Sequence, residues 1–424
     1  MMRFLLKGLM RDHHRSLFPI LIVSFGVLLT TVLYSFISGE LNDLIDSNAR
    51  FDTGHLKITT RMYHTLASQM PNDLALTGTE KLMLSLRNKY PEYDWTARIK
   101  FVGLLDMPDY NGETKAQNPV FGLAVNLFGN SSFESERLHL DKSIVKGRKP
   151  EKPREILIGE DFATRMNTSI GQTITLLSTT SGGAMAVQNF IVCGTVNFGA
   201  AVMDRGAMIA DISDIQSTLE MPDGASEILG FSKNKFYDPA KTEQIKMDFN
   251  SLFIHADNQY SPFMVTLEDQ NGLGEYLEYI HTVGLIIVGI FLVAMSVVLL
   301  NTGLMSGIRR YGEVGVRLAL GEAKLRIYRS MLYESVLIGL AGSVTGTCLG
   351  LAVAFYLQEI GIDITDTLRT TSIIMSNILR ARISAASFYI GFIPGLLATL
   401  IGTTFSGIQI FQRQTASLFK ELES

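Results

Sequence analysis

The chain has 424 residues, of which 47% are hydrophobic and 18% charged, with a mean hydropathy of +0.22 and a net charge of −4. So apolar a composition is unusual for a soluble protein, and so mild a charge gives no ground for a nucleic-acid or strongly acidic partner. Two cysteines, Cys193 and Cys348, fall in a polar and an apolar environment respectively, so no disulfide joins them and no metal-binding spacing is present.

Residues 1–16 form a basic leader with Arg3, Lys7, Arg11 and Arg15. The first apolar segment, 17–38, contains no charged residue. At about 1.5 Å per residue its roughly 22 residues match a hydrocarbon core of about 30 Å. A cleaved signal peptide is the alternative, but the run is longer than a signal core and SFISG makes a poor cleavage site. Three more segments of spanning length follow at 281–305, 332–357 and 387–411. The predicted fold class is a membrane protein with four transmembrane α-helices and a large α+β extracytoplasmic domain, 39–280, inserted between helices 1 and 2.

In that domain, β-rich runs are expected at 55–60, 96–105, 120–126, 154–159, 172–178 and 189–196. Helices are expected at 78–89, 160–167, 212–220 and 239–253. Two lobes are expected, one of them inserted near 60–145. The domain carries none of the hydrolase or metalloprotease motifs, so no residue is singled out as catalytic or metal-binding. Asp106 and Asp109, like Glu134 and Glu136, read as solvated loop carboxylates. Residues 270–280, QNGLGEYLEYI, run without a breaker after Gly274 into the second span, as a helix or as a flexible linker.

Lysine and arginine set the direction. The loop 306–331 holds Arg309, Arg310, Arg317, Lys324, Arg326 and Arg329, and the tail 412–424 adds Arg413 and Lys420. The opposite loop, 358–386, holds only Arg369, Arg380 and Arg382. This bias predicts cytoplasmic termini, a cytoplasmic 306–331 loop and an outer 39–280 domain. Within that loop Glu313 and Arg317 have the spacing of a helical ion pair. Val314, Leu318 and Ala319 offer apolar contacts, and Gly321 closes a short helix. Spans one, two and four hold no Asp, Glu, Lys or Arg, and span three holds only Glu334, leaving a proton- or sodium-driven pump little to work with. No GxxxxGK[ST] phosphate loop occurs, so any ATP hydrolysis belongs to another chain. On span three, Gly342, Gly346 and Gly350 recur every four residues with Gly339 one turn before, and span four carries Gly391 and Gly395. These are smooth helix faces for packing within the chain or for a dimer. Pro394 is expected to kink span four.

From Arg309 to Gly350 the chain resembles the FtsX-like permease family. Arg309, Glu313, Val314, Gly315, Arg317, Ala319, Leu320, Gly321, Ile327, Glu334, Gly339, Gly342, Gly346 and Gly350 stand at that family's spacing. GHLKI at 54–58, the stretch 147–177 and FIVCGTVNFG at 190–199 resemble the periplasmic core of its MacB-type members. The layout is most similar to the lipoprotein-releasing subunits. The resemblance implies the permease subunit of an ATP-binding-cassette (ABC) transporter of the mechanotransmission type, in a bacterial inner membrane, releasing lipoproteins or exporting a hydrophobic substrate. An FtsX-like regulator that activates a cell-wall hydrolase without transport is the other implied reading. The implied partners are a cytoplasmic ATPase dimer that binds ATP and Mg, a second permease subunit, alike or homologous, and a periplasmic carrier or adaptor, with membrane lipid around the spans. Arg309, Arg310, Glu313, Val314, Gly315, Arg317, Leu320 and Gly321 would then couple to the ATPase. Glu334, read from its place on span three, pairs with an arginine of the preceding loop, lies at an interface, or snorkels at the membrane edge. The tail RQTASLFKELES lacks the family's usual proline and final arginine.

Overall fold

A computed structural model describes residues 13–108, 113–128, 133–199, 201–234, 236–253, 258–308, 311–363 and 378–412. Two compact units emerge. One comprises Met1–Asn42, Tyr279–Ile362 and Leu379–Ser424, and the other Asp43–Glu278 with Asp363–Ile378. Among the described residues, four helical segments are long and apolar enough to cross a membrane.

The first of these belongs to α1 (His13–Asn48), which runs ten residues past Ser38 because the segment GELNDLIDSN has no breaker after Gly39. It ends in a π-helical turn, Ala49–Thr53, stopped by Gly54 at φ +59°. The helix carrying the second span is already formed at Leu273, directly after the left-handed residues Asn271 and Gly272. The stretch 273–280 is therefore helix and not flexible linker. In the fourth segment a 3₁₀ turn, Ala385–Phe388, is fixed by a Ser384–Ser387 capping box before the helix Phe392–Gln412 begins. Pro394 sits in the first turn of that helix, where a missing N–H breaks no helical bond, so the expected kink has no basis.

The second unit is built on one long strand. We label its main elements β1 (Leu56–Thr60), α2 (Thr79–Lys89), β2 (Tyr93–Pro108), β3 (Thr114–Val125), β4 (Glu155–Gly159), β5 (Thr173–Thr179), β6 (Met185–Val196), β7 (Ala207–Asp211), β8 (Glu227–Ser232), α3 (Pro239–Ser251) and β9 (Pro262–Thr266). The first half of β2, Tyr93–Arg98, pairs with β8 and completes an antiparallel sheet in the order β9–β1–β8–β2. Its second half pairs with β3 on one side and β5 on the other. Successive pairings β3–β7, β7–β4, β4–β6 and β6–β5 close a six-stranded barrel back onto β2. Closure removes the exposed edges that an open sheet would present. Phe101, Leu105, Met107, Ile158, Ile174, Leu176, Phe190 and Met208 belong to its buried core.

The two lobes are thus residues 99–211 as a barrel and the flanking chain as a sheet carrying α2 and α3 among its helices, not an insertion near 60–145. Asp106 is a strand residue opposite Gln117 and Thr175, and Glu134 is 1% exposed, so neither is a solvated loop carboxylate. Asp109 lies outside the described residues. Strands β7, β8 and β9 had no sequence expectation. Both β7 and the first five residues of β8 are buried on both faces, and such strands show no period-two alternation.

Candidate functional site

The 306–331 region is a helical hairpin. The second-span helix, α4 (Leu273–Ile308), is followed by α5 (Tyr311–Ala319), and α6 (Lys324–Ile360) begins five residues after α5 ends. Gly321, at φ +86°, allows the turn. Its amide donates to Leu318 O at 3.0 Å, and that of Glu322 donates to Arg317 O at 3.0 Å, the bond pair that satisfies a helix end. The turn brings Glu322 back beside the last turn of α5. There Arg317 binds it through two parallel bonds, Nε to Oε2 at 2.7 Å and Nη2 to Oε1 at 2.9 Å. Glu322 is therefore a partner of Arg317 that helical spacing alone does not announce.

Val314 (3% exposed) and Leu318 pack on Ile327 and Met331 of α6, and Gly315 is buried beside them. Val314 is thereby turned inward, onto α6. What the hairpin leaves outward is Leu320, 81% exposed, with Val316 and Leu325 about half exposed. Arg309 and Arg310 lie outside the described residues. Glu334 is half-buried on α6.

The glycines pack within the chain. A Cβ at Gly342 would lie 2.6 Å from Val23 Cβ, and at Gly346 2.5 Å from the Ser24 carbonyl oxygen. At Gly350 it would lie 2.9 Å from Thr31 Cβ. Gly339 meets Thr399 and Leu396 of α7 (Phe392–Gln412), Gly391 meets α1 at Val27 and Thr31, and Gly395 meets Val27 and Ser343. The six glycines listed from sequence thus let α1, α6 and α7 approach to backbone contact, which leaves none of them facing outward for a dimer. Ser24 adds a hydrogen bond to Gly342 O. On α4, by contrast, Leu285, Ile286, Ile290, Val293 and Val297 are more than half exposed, as suits a lipid-facing helix. Between α1 and α4 an apolar groove of about 560 Å³ is lined by Phe18, Leu21, Phe25, Phe291, Met295 and Val298.

Two polar clusters in the second unit escaped sequence reasoning. Arg98 and Glu134 are 0% and 1% exposed. Arg98 binds Glu134 Oε2 through Nε (3.1 Å) and Nη2 (2.8 Å), and its Nη1 donates to Arg50 O at 2.7 Å, holding the π-turn. Arg137 takes the other oxygen of Glu134 and stacks 3.8 Å over the Phe231 ring. In the second cluster, Lys57 and Lys100 each contact both Asp52 and Glu227. Burial by itself would raise the Asp52 carboxyl, but the two ammonium groups outweigh it and hold it well below the usual carboxylate range. The pairs Arg98–Glu134, Lys100–Asp52, Lys100–Glu227 and Lys57–Glu227 join residues 36 to 170 positions apart, so no local pattern announces them. Cys193 is buried with its thiol on Ile156 O, and burial pushes that thiol up to about 12.

Four membrane-length helices, a glycine-packed bundle, a stapled hairpin with an apolar tip and an α+β domain between the first two spans define a multi-pass membrane protein. Residues 285–415 match the family described as FtsX-like permease C-terminal, and this part of the chain is an FtsX-like permease domain. The chain is 24% identical over 216 residues to the lipoprotein-releasing system transmembrane protein LolC of Xylella fastidiosa strain 9a5c, covering 49% of this chain and 50% of that protein. It is 21% identical over 249 residues to LolC of Haemophilus influenzae, covering 56% and 59%. It thus spans about half the length of the curated relatives it matches. Among solved structures, the periplasmic region of MacB from Actinobacillus actinomycetemcomitans aligns at a TM-score of 0.35 and 12% identity, over 52% of this chain and 92% of that one.

Proposed function

We propose that this chain is the membrane subunit of an ABC transporter of the mechanotransmission kind, driven by a separate cytoplasmic ATPase dimer that binds ATP and Mg. The observation that carries the reading is the hairpin: a rigid, internally stapled turn that offers Leu320, Val316 and Leu325 outward. An apolar tip held on a helical hairpin is the kind of element that lies in a groove on a partner. The spans themselves carry no set of ionisable groups with which to harvest an ion gradient.

With the lysine and arginine bias read as cytoplasmic, both termini and the hairpin face the cytosol, and the 39–280 domain faces the periplasm of a bacterial inner membrane. The similarity to proteins named as lipoprotein-releasing favours release of a lipidated or otherwise hydrophobic substrate, with a second permease subunit and a periplasmic carrier completing the system. The apolar groove between α1 and α4 has the size and lining that an acyl chain needs.

The test is affinity purification of the tagged full chain from native membranes, scored by ATPase activity in the eluate. Wild type is expected to bring the activity with it. Leu320→Asp should lose it at least tenfold, while Val293→Ala, on the lipid-facing side of α4, should retain it. An undiminished ATPase yield with Leu320→Asp would refute the docking assignment.

A further inference from the structure

The contact of α1 with α6 and α7 repeats along the helix. Val23, Val27, Thr31 and Ser35 follow one another at four-residue spacing on α1. The first three meet the successive glycines 342, 346 and 350, at 2.6, 2.8 and 2.9 Å between each side chain's Cβ and a Cβ placed on the glycine. The fourth, Ser35, donates to Ser387 Oγ at 3.0 Å. Moving α1 by four residues, about 6 Å or just over one helical turn, would put Pro19, Val23, Val27 and Thr31 at the four places now held by Val23, Val27, Thr31 and Ser35. Valine replaces valine, valine replaces the similarly shaped threonine, and threonine replaces serine, so every glycine still meets a compact side chain.

The hydroxyls give this repeat its meaning. Thr31 is 0% exposed and its Oγ1 has no hydrogen-bond partner, although Thr30 beside it donates to the carbonyl four residues back at 2.8 Å. Ser343 (0% exposed) and Thr347 (8%) are unpartnered in the same seam. Thr31 Oγ1 lies 3.1 Å from a Cβ placed on Gly391, and Ser343 Oγ 2.9 Å from one on Gly395, so both point into the gap between helices. A buried hydroxyl without a partner is costly in a seam flanked by hydrocarbon, and valine would fill the place of Thr31 without that cost. In the displaced arrangement Thr31 inherits the partner of Ser35.

We infer that α1 has two seats against α6 and α7, one turn apart, and that Thr31 takes the place of Ser35 against Ser387 in the second. The seat seen here is held by the irregular stretch 380–384. The amide of Arg382 donates to Ser35 O at 2.8 Å, and the carbonyl of Arg380 abuts Gly39, the only residue type that admits it there. Moving Ser35 to the place of Gly39 requires this stretch to back away, and so it acts as the catch on the step. One-turn slips of one packed helix past another are an established kind of two-state transition. The inference does not depend on which partner drives the chain.

Disulfide trapping in the full chain tests it. In a Cys348→Ser background, the pairs Ser35→Cys/Ser387→Cys and Thr31→Cys/Ser387→Cys are oxidised in native membranes, and the linked peptides are quantified by mass spectrometry. In the seat seen here Ser35 is the residue against Ser387, and Thr31 stands one turn away along α1. Both pairs are expected to close, with the Thr31 pair within about tenfold of the Ser35 pair in rate. If only the Ser35 pair closes and the Thr31 pair stays at the level of single-cysteine controls, α1 has one seat and the inference falls. If neither closes, the Ser35–Ser387 contact is absent and the inference falls with it.

Discussion

Replacing Glu134 by leucine strands the buried guanidinium of Arg98. In the native arrangement that group is fully covered, and its charge is balanced by a carboxylate at 2.8 and 3.1 Å, with a backbone carbonyl taking a further N–H. Glu134→Leu removes the only carboxylate in that set and also takes one oxygen from Arg137. Breaking a buried pair from one side costs about 3–5 kcal/mol, because the charge left behind is neither solvated nor paired. That is a large share of the roughly 5–15 kcal/mol that stabilises a typical domain. Removing both members is a different matter: Arg98→Met with Glu134→Leu leaves no stranded charge, and such swaps are often neutral. The double variant should therefore recover most of the loss. The chain supplies its own probe, since its single tryptophan, Trp95, is 4% exposed on the same strand as Arg98. Denaturant titration of the detergent-solubilised chain, followed by Trp95 fluorescence, reads the change in this domain. A shift below about 1 kcal/mol for Glu134→Leu, or a double variant worse than the single, would refute the reasoning.

The same probe follows a pH effect at His55, whose imidazole burial pushes down to about 4, with Arg137 adding to the fall. A depressed imidazole contributes stability that is complete above about pH 6.5 and is lost as pH falls through 4, to a maximum of about 3 kcal/mol; the drop should shrink in His55→Asn. In the membrane unit, Gly346→Leu forces a side chain where even a Cβ would sit 2.8 Å from Val27 Cβ. Overpacking of about 1–3 kcal/mol or more should lower thermal stability in detergent, whereas Gly289→Leu, which meets nothing within 4 Å, should leave it unchanged.

The spans were legible because hydropathy is summed over neighbouring residues, and so was the turn at Gly321, because a left-handed residue that ends a helix favours glycine. The glycines of 339–350 announced a close contact but not its partner. A smooth face looks the same in sequence whether it meets α1 or a second chain, and only the placement of Val23, Ser24 and Thr31 against it resolves the choice. At the hairpin, the Gly321 turn delivers Glu322 to Arg317 in bidentate geometry, a pairing that helical i, i+4 spacing does not announce. Val314 read only as an apolar contact because α5 seen alone has no inside; the packing of Ile327 and Met331 gives it one.

What the sequence determined by itself was therefore whatever depends on a run of adjacent residues: four spans, the helical hairpin, and the mixed character of the domain between the first two. Only the tertiary structure decided the closure of β2 through β7 into a barrel, the burial of Arg98 with Glu134, the joining of Asp52, Lys57, Lys100 and Glu227, and the seating of α1 on α6. Each of these is a contact between residues far apart along the chain. Its free energy comes from desolvation and close approach in the folded state, so it leaves no mark on the local pattern of either partner.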